Sequence, residues 1–182
     1  MNVVVIGRGN VGGGLAELWR RAGHKVTALG RDGGDASGAD VLVVAVPSGA
    51  IATALGKVSG IDGQITVDAT NAYPSRNDQF PSLAHEVKSI TGGPVAKSFN
   101  INYASLYGQI AAERIRPSNL YVGDDDARDI TERLIIDAGY QPVRLGGLEK
   151  ARSLEDLTWI MWAAAENGLP QMFYRFAAPG EL

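Results

Sequence analysis

The stretch Val3-Val4-Val5-Ile6-Gly7-Arg8-Gly9-Asn10-Val11-Gly12 constrains this chain more than any other. Four β-branched residues in succession read as a strand buried on both faces. Glycines follow at positions 7, 9 and 12, and then Leu15, Leu18 and Trp19 recur at helical spacing. The order is strand, glycine turn, helix, with the turn spaced G-x-G-x-x-G. The first glycine allows the tight turn, the second clears the approach of a pyrophosphate, and the third lets helix and strand pack closely. The helix N-terminus then offers free N–H groups and a positive dipole end to phosphates. This predicts a dinucleotide site over Gly7, Arg8, Gly9, Asn10, Val11 and Gly12.

At 182 residues the chain is long enough for one good core, and a single domain over 1–182 is expected. A net charge of −3 argues against a general binder of nucleic acid or membrane surfaces. With no cysteine, disulfides, thiolate catalysis and Cys-ligated zinc are excluded, and two histidines do not make a multi-histidine metal site. The first strand starts at Asn2, leaving no room for a signal peptide, and no apolar run approaches the roughly 18 residues of a membrane span. A cytoplasmic location is the expectation.

Helix Val11–Ala22 leads to a second strand, Lys25 to Leu29, which ends in Gly30-Arg31. A site for NAD places Asp or Glu here for the ribose hydroxyls, whereas a site for NADP offers a cation to the 2′-phosphate. Arg31 therefore favours NADP, with Asp32 beside it as a competing ribose partner. Residues 32–39 are too short and glycine-rich for a helix plus a strand, so the usual second helix and third strand are missing. About ten extended residues reach roughly 33 Å, enough to cross directly to the next strand. The second strand should then lie at or next to a sheet edge, with an open adenine pocket.

The strand Asp40–Val46 ends at Pro47, and Ser48 can cap a helix running to Val58. Strands are expected at Gln64–Asp68, Pro94–Phe99, Asn119–Val122 and Gln141–Leu145. Helices are expected at Gln79–Ile90, Tyr103–Arg114, Ala127–Ala138 and Leu148–Asn167. His85 reads as a surface or packing histidine, and Asp124-Asp125-Asp126 as the charged start of the following helix. The tail Met172–Phe176 has strand-like composition and can add an edge strand or cover a cleft. Helix 148–167 and tail 169–182 should pack on the domain. The alternation predicts an α/β, mostly parallel, doubly wound sheet, shortened in its first half.

Ligands of such sheets lie outside the carboxyl ends of the strands. Those ends hold mostly small, amide or hydroxyl residues, with no Ser-His-Asp set and no carboxylate pair. Lys97, Tyr103, Tyr107 and His85 are the candidate proton donors, and for Lys97 pairing with the acidic surface is the alternative.

Several segments together resemble the NADP oxidoreductase family typified by the NADPH-dependent reductase of the deazaflavin coenzyme. They are Gly7–Gly12, Val43-Val44-Ala45-Val46-Pro47, Val67-Asp68-Ala69-Thr70-Asn71, Ala96-Lys97-Ser98-Phe99-Asn100, Tyr121-Val122-Gly123-Asp124-Asp125 and Gly147–Glu155. The resemblance implies a Rossmann NAD(P)-binding fold. It places NADP across the strand ends, with Gly7–Gly12 at the pyrophosphate, Gly30 and Arg31 at the 2′-phosphate, and Val46, Pro47, Ser48 and Asn71 towards the nicotinamide. The Lys-Ser-Phe-Asn segment looks closer to the subgroup related to cytosolic domains of membrane ferric reductases, which pass hydride to a flavin.

The expected activity is hydride transfer between NADPH and a flat small-molecule redox acceptor, a deazaflavin or a flavin. The alternatives are an imine or keto-acid reductase, with a homodimer through helix 148–167 supplying what a further helical domain otherwise supplies, and a non-catalytic NADP-sensing module. The assignment of Arg31 has a direct test. Arg31→Ala should weaken NADPH binding by about 2–3 kcal/mol and NADH binding far less, if the contact is charge-assisted and partly desolvated. Isothermal titration with both nucleotides checks this, and equal losses would refute it.

Overall fold

The computed structural model describes residues 1–73 and 75–180. Strand β1 (Asn2–Ile6) is buried from Val3 onward, and its side chains alternate between two cores. Val4 and Ile6 enter one core, Val3 and Val5 the other. This is the period of two in a strand covered on both faces. Helix α1 (Asn10–Arg21) sends Leu15, Ala16 and Trp19 into the second core. Gly23, at φ +90°, then turns the chain into β2 (Lys25–Leu29), which pairs parallel with β1.

Strand β2 is the edge of a seven-stranded sheet, as the shortened crossing requires. The chain passes from it straight to β4 (Val41–Val44), on the other side of β1. One detail departs from expectation. Gly34–Asp35 form a two-residue strand, β3, which pairs with β5 (Val58–Ser59) in a small separate sheet. This pairing gives the crossing backbone partners that its few side chains cannot supply. It also shortens the helix expected to run from Ser48 to Val58. A 3-10 turn at Ser48–Ala50 leads into α2 (Ile51–Leu55), and Val58 belongs to β5.

The remaining elements are β6 (Ile65–Asp68), α3 (Leu83–Thr91), β7 (Val95–Lys97), β8 (Ser118–Gly123), α4 (Arg128–Asp137), β9 (Gln141–Arg144) and α5 (Ala151–Glu166). Their order across the sheet is β2-β1-β4-β6-β7-β8-β9, with β8 antiparallel to β7 and the other neighbours parallel. Helices α1 and α4 cover one face; α2, α3 and α5 cover the other.

Four further expectations are corrected. Helix α3 starts later than Gln79, because the Ser82 hydroxyl caps it by accepting the His85 N–H. The segment expected as a helix from Tyr103 forms 3-10 turns over Ala104–Ala112. There Ala104, Tyr107 and Ile110 recur every three residues against the core. The Asp124 carboxylate accepts the Val95 N–H and the Lys88 ammonium instead of capping a helix. The tail 172–176 forms no sheet strand, although the Tyr174 carbonyl accepts the Ser118 N–H at 2.8 Å and holds the tail beside β8.

Charge lies at the centre of this fold. Lys97, Asp68 and Glu155 are fully buried. The Lys97 ammonium is 2.8 Å from Asp68 Oδ2 and 3.5 Å from Glu155 Oε1, and it also donates to the Thr70 carbonyl. Glu155 accepts the Leu83 N–H at the start of α3 and pairs with Arg76 at 2.8 Å. The buried Lys97 ammonium and the partly exposed Arg76 guanidinium, which also pairs with Asp156, thus meet two buried carboxylates, and together they join β6, β7, α3 and α5. Removing one partner strands the others in the interior. Lys97→Met should therefore destabilise the fold by about 3–5 kcal/mol in urea denaturation. Unchanged stability with lost turnover would instead return Lys97 to the chemistry.

Candidate functional site

A cleft of about 940 Å³ opens at the carboxyl ends of β1 and β4. Strand order reverses there, since β1 has β2 on one side and β4 on the other. Ile6, Gly7, Ala45, Val46 and Pro47 line it from the strand ends. Arg8 and Gly9 come from the glycine turn, and Gly30, Arg31 and Asp32 from the end of β2.

The three glycines of the turn have different duties. Gly7 sits at φ +113°, and a Cβ on it would stand 2.2 Å from the Ala45 carbonyl oxygen. A Cβ on Gly12 would stand 2.1 Å from the Gly7 carbonyl oxygen. Gly7 is required by the close approach of the β1 and β4 ends, and Gly12 by the packing of α1 on them. Around a Cβ on Gly9 there is nothing within 4 Å. Gly9 is also the N-cap of α1 and no side chain caps the helix there, which leaves first-turn N–H groups for an anion. The cradle fits a pyrophosphate.

The charge at the β2 end is one-sided. Gly30 follows the last residue of β2, and the Arg8 guanidinium lies over it. A Cβ on Gly30 would be 2.3 Å from Arg8 Nη2. The Lys57 ammonium donates to the Arg31 carbonyl at 2.9 Å. Arg8, Arg31 and Lys57 thus face one acid, Asp32, among the lining residues.

The other expected residues are not part of the cleft lining. Asn10 and Val11 open α1, and Gly12 is buried beneath them. Ser48 caps no helix; its buried hydroxyl donates to the Tyr73 carbonyl at 2.9 Å. The Asn71 amide donates to the Asn100 carbonyl at 2.7 Å and accepts from the Thr158 hydroxyl at 2.9 Å, fastening α5 to the strand ends. Lys97 lies in the buried charge network, outside the cleft lining. His85 packs its ring nitrogen against the Ser82 hydroxyl at the start of α3.

Ala50, Thr53, Ala54 and Lys57 also line the cleft and were missed by sequence reasoning. Their signal is the spacing i, i+3, i+4, i+7, a small-residue helical face ending in a lysine. Among the described residues, no group of three or more His, Cys, Asp or Glu is placed to hold a metal ion. Nor, among them, is any helix long and apolar enough to cross a membrane.

No protein-family model and no curated protein sequence matches the chain. Solved structures do. A protein of Arthrobacter sp. FB24, described as a candidate F420-dependent NADP-reductase, superposes with a TM-score of 0.80 at 22% identity, over 97% of this chain and 99% of its own. A hypothetical protein of Sinorhizobium meliloti superposes at 0.63 with 27% identity, over 81% of this chain and 84% of its own. The reductive aminase of Aspergillus terreus, solved with NADPH and ethyl levulinate, superposes at 0.67 with 15% identity. There the match spans 91% of this chain and 62% of the longer aminase. The fold is of Rossmann type. The architecture implied by the family resemblance is the architecture seen.

The glycine geometry separates fold from binding. Gly9→Ala should leave the urea midpoint unchanged and weaken NADPH binding at least tenfold. Gly12→Ala should cost about 2–3 kcal/mol of stability through overpacking. Fluorescence titration and urea denaturation of the two variants check this, and intact nucleotide binding in Gly9→Ala would contradict it.

Proposed function

We propose that this chain is an NADP(H)-dependent oxidoreductase that passes hydride to a flat redox acceptor, a deazaflavin or a flavin. The observation that carries the proposal is the cation set Arg8, Arg31 and Lys57 around Gly30, at one end of a cleft built on G-x-G-x-x-G. A 2′-phosphate is the group such a set recognises. Further support comes from the Arthrobacter protein described as an F420-dependent NADP-reductase and from the aminase solved with NADPH.

In this reading Gly7, Gly9 and the first turn of α1 hold the pyrophosphate. Arg31 and Arg8 face the 2′-phosphate, and Lys57 fixes the Arg31 backbone. Val46 and Pro47 provide an apolar wall for the nicotinamide. Bound NADPH supplies a hydride and becomes NADP⁺, while the acceptor takes that hydride and one proton from water. The titratable lining residues are Arg8, Arg31, Asp32 and Lys57. None of them is at the β4 end. A conjugated ring needs stacking and proximity there, not a strong acid or base.

NADPH oxidation is measured against riboflavin, a 5-deazaflavin, ferric chelates, imines and keto acids. Turnover is expected on the flavin or deazaflavin, and turnover confined to imines or keto acids would overturn the proposal. Tight NADPH binding without any turnover would indicate a sensor. Arg8→Ala should raise the Kd for NADPH about tenfold and leave that for NADH nearly unchanged.

A further inference from the structure

The C-terminal half of α5 reads Trp159-Ile160-Met161-Trp162-Ala163-Ala164-Ala165, apolar on every side, and none of the seven is buried. A helix of this kind in water calls for something to cover it. Tyr73 stands against it from the loop after β6. Its ring centroid is 4.6 Å from that of Trp162 and 6.4 Å from that of Trp159, and the two indoles are 5.4 Å apart. The rings meet at 59–77°, so no two of them stack in parallel. Tyr73 is 54% exposed and Trp159 46%.

The topology places this cluster relative to the cleft. Along the carboxyl edge of the sheet, the strands run β2, β1, β4, β6. Their ends present Arg31, then Gly7, then Val46-Pro47, then Asn71–Tyr73. A dinucleotide anchored at Arg31 and laid over Gly7 has its far end at β4, beside β6. Two hydrogen bonds fix the cluster there. Ser48, next to the cleft residue Pro47, holds the Tyr73 carbonyl, and Thr158, next to Trp159, holds Asn71.

We infer that Tyr73, Trp159 and Trp162 form the platform on which the flat acceptor of the proposed reaction is received. This rests on the proposed NADP(H) reductase reading. Exposed aromatic faces bind planar π-systems by stacking, whatever the ring's substituents. An aliphatic imine or keto acid has no such ring to offer. The platform is built from two segments joined at the cleft rim, which places a bound ring next to the nicotinamide end.

The platform contains two of the three tryptophans, and the third, Trp19, is fully buried against Phe99. Tryptophan emission of the full chain therefore reports on the platform directly. Riboflavin and 5-deazariboflavin are titrated into the wild type without nucleotide, and the expected result is saturable quenching. Tyr73→Leu and Trp162→Leu should each weaken ring binding about tenfold and leave NADPH affinity within about twofold of wild type. Absence of saturable quenching in the wild type, or unchanged ring affinity in both variants, overturns the inference. A dimer in sedimentation velocity that Trp162→Leu dissociates, with ring affinity unchanged, overturns it in favour of a second copy on this face. Failure of the wild type to bind NADPH overturns the reductase reading instead, and the nucleotide-free titration still decides the platform.

Discussion

Lys97 carries its ammonium into the protein interior, and its partners there determine where four separate elements meet. Asp68 ends β6, Lys97 ends β7, Glu155 lies in the second turn of α5, and the Leu83 N–H belongs to the first turn of α3. Buried charges of this kind add little net stability compared with apolar packing, but they tolerate no misplacement. A shift of α5 by one turn would leave Glu155 without Lys97 and Arg76, and Lys97 with a single carboxylate. The network therefore sets the register of α5 against the sheet. Thr158, Trp159 and Trp162 take their positions from it, as does the Asn71–Thr158 bond at the strand ends.

The cleft depends on a different constraint, the mutual contact of α1 and the ends of β1 and β4. Gly7 and Gly12 bring backbone so close that neither admits a methyl group, and the cleft floor is the surface this contact creates. Gly9 stands outside it. In one ten-residue stretch the same residue type serves packing twice and ligand access once, and only the three-dimensional surroundings distinguish the roles.

Local signals were readable from the chain alone. The β-branched run, the glycine spacing and the Gly30-Arg31 ending located the cleft, because each acts within about thirty residues. The missing helix and strand after β2 were also legible, since 32–39 cannot hold them. Long-range partnerships were not. Lys97 meets Asp68 across 29 residues, and Asn71 meets Thr158 across 87. Nothing near Asn71 shows that its amide is committed to α5, or near Ser48 that its hydroxyl serves Tyr73. Helix α2 was legible as a helix, but its cleft-facing stripe was not, because small residues give a weak amphipathic signal.

The edge position of β2 has a consequence for the energetics of the cleft. In a sheet with a further strand beyond β2, an adenosine is held partly by apolar contact with that strand's loops. Here the sheet ends, and the crossing that replaces those elements is a glycine-rich ribbon. Attraction at this end is then mainly coulombic and open to water. Mobile ions compete with that kind of attraction over about 10 Å at ordinary salt. On the proposed function, nucleotide affinity would follow ionic strength more closely than in proteins with the full first half, so dilute buffer and cell-like salt would give different measures of the same site.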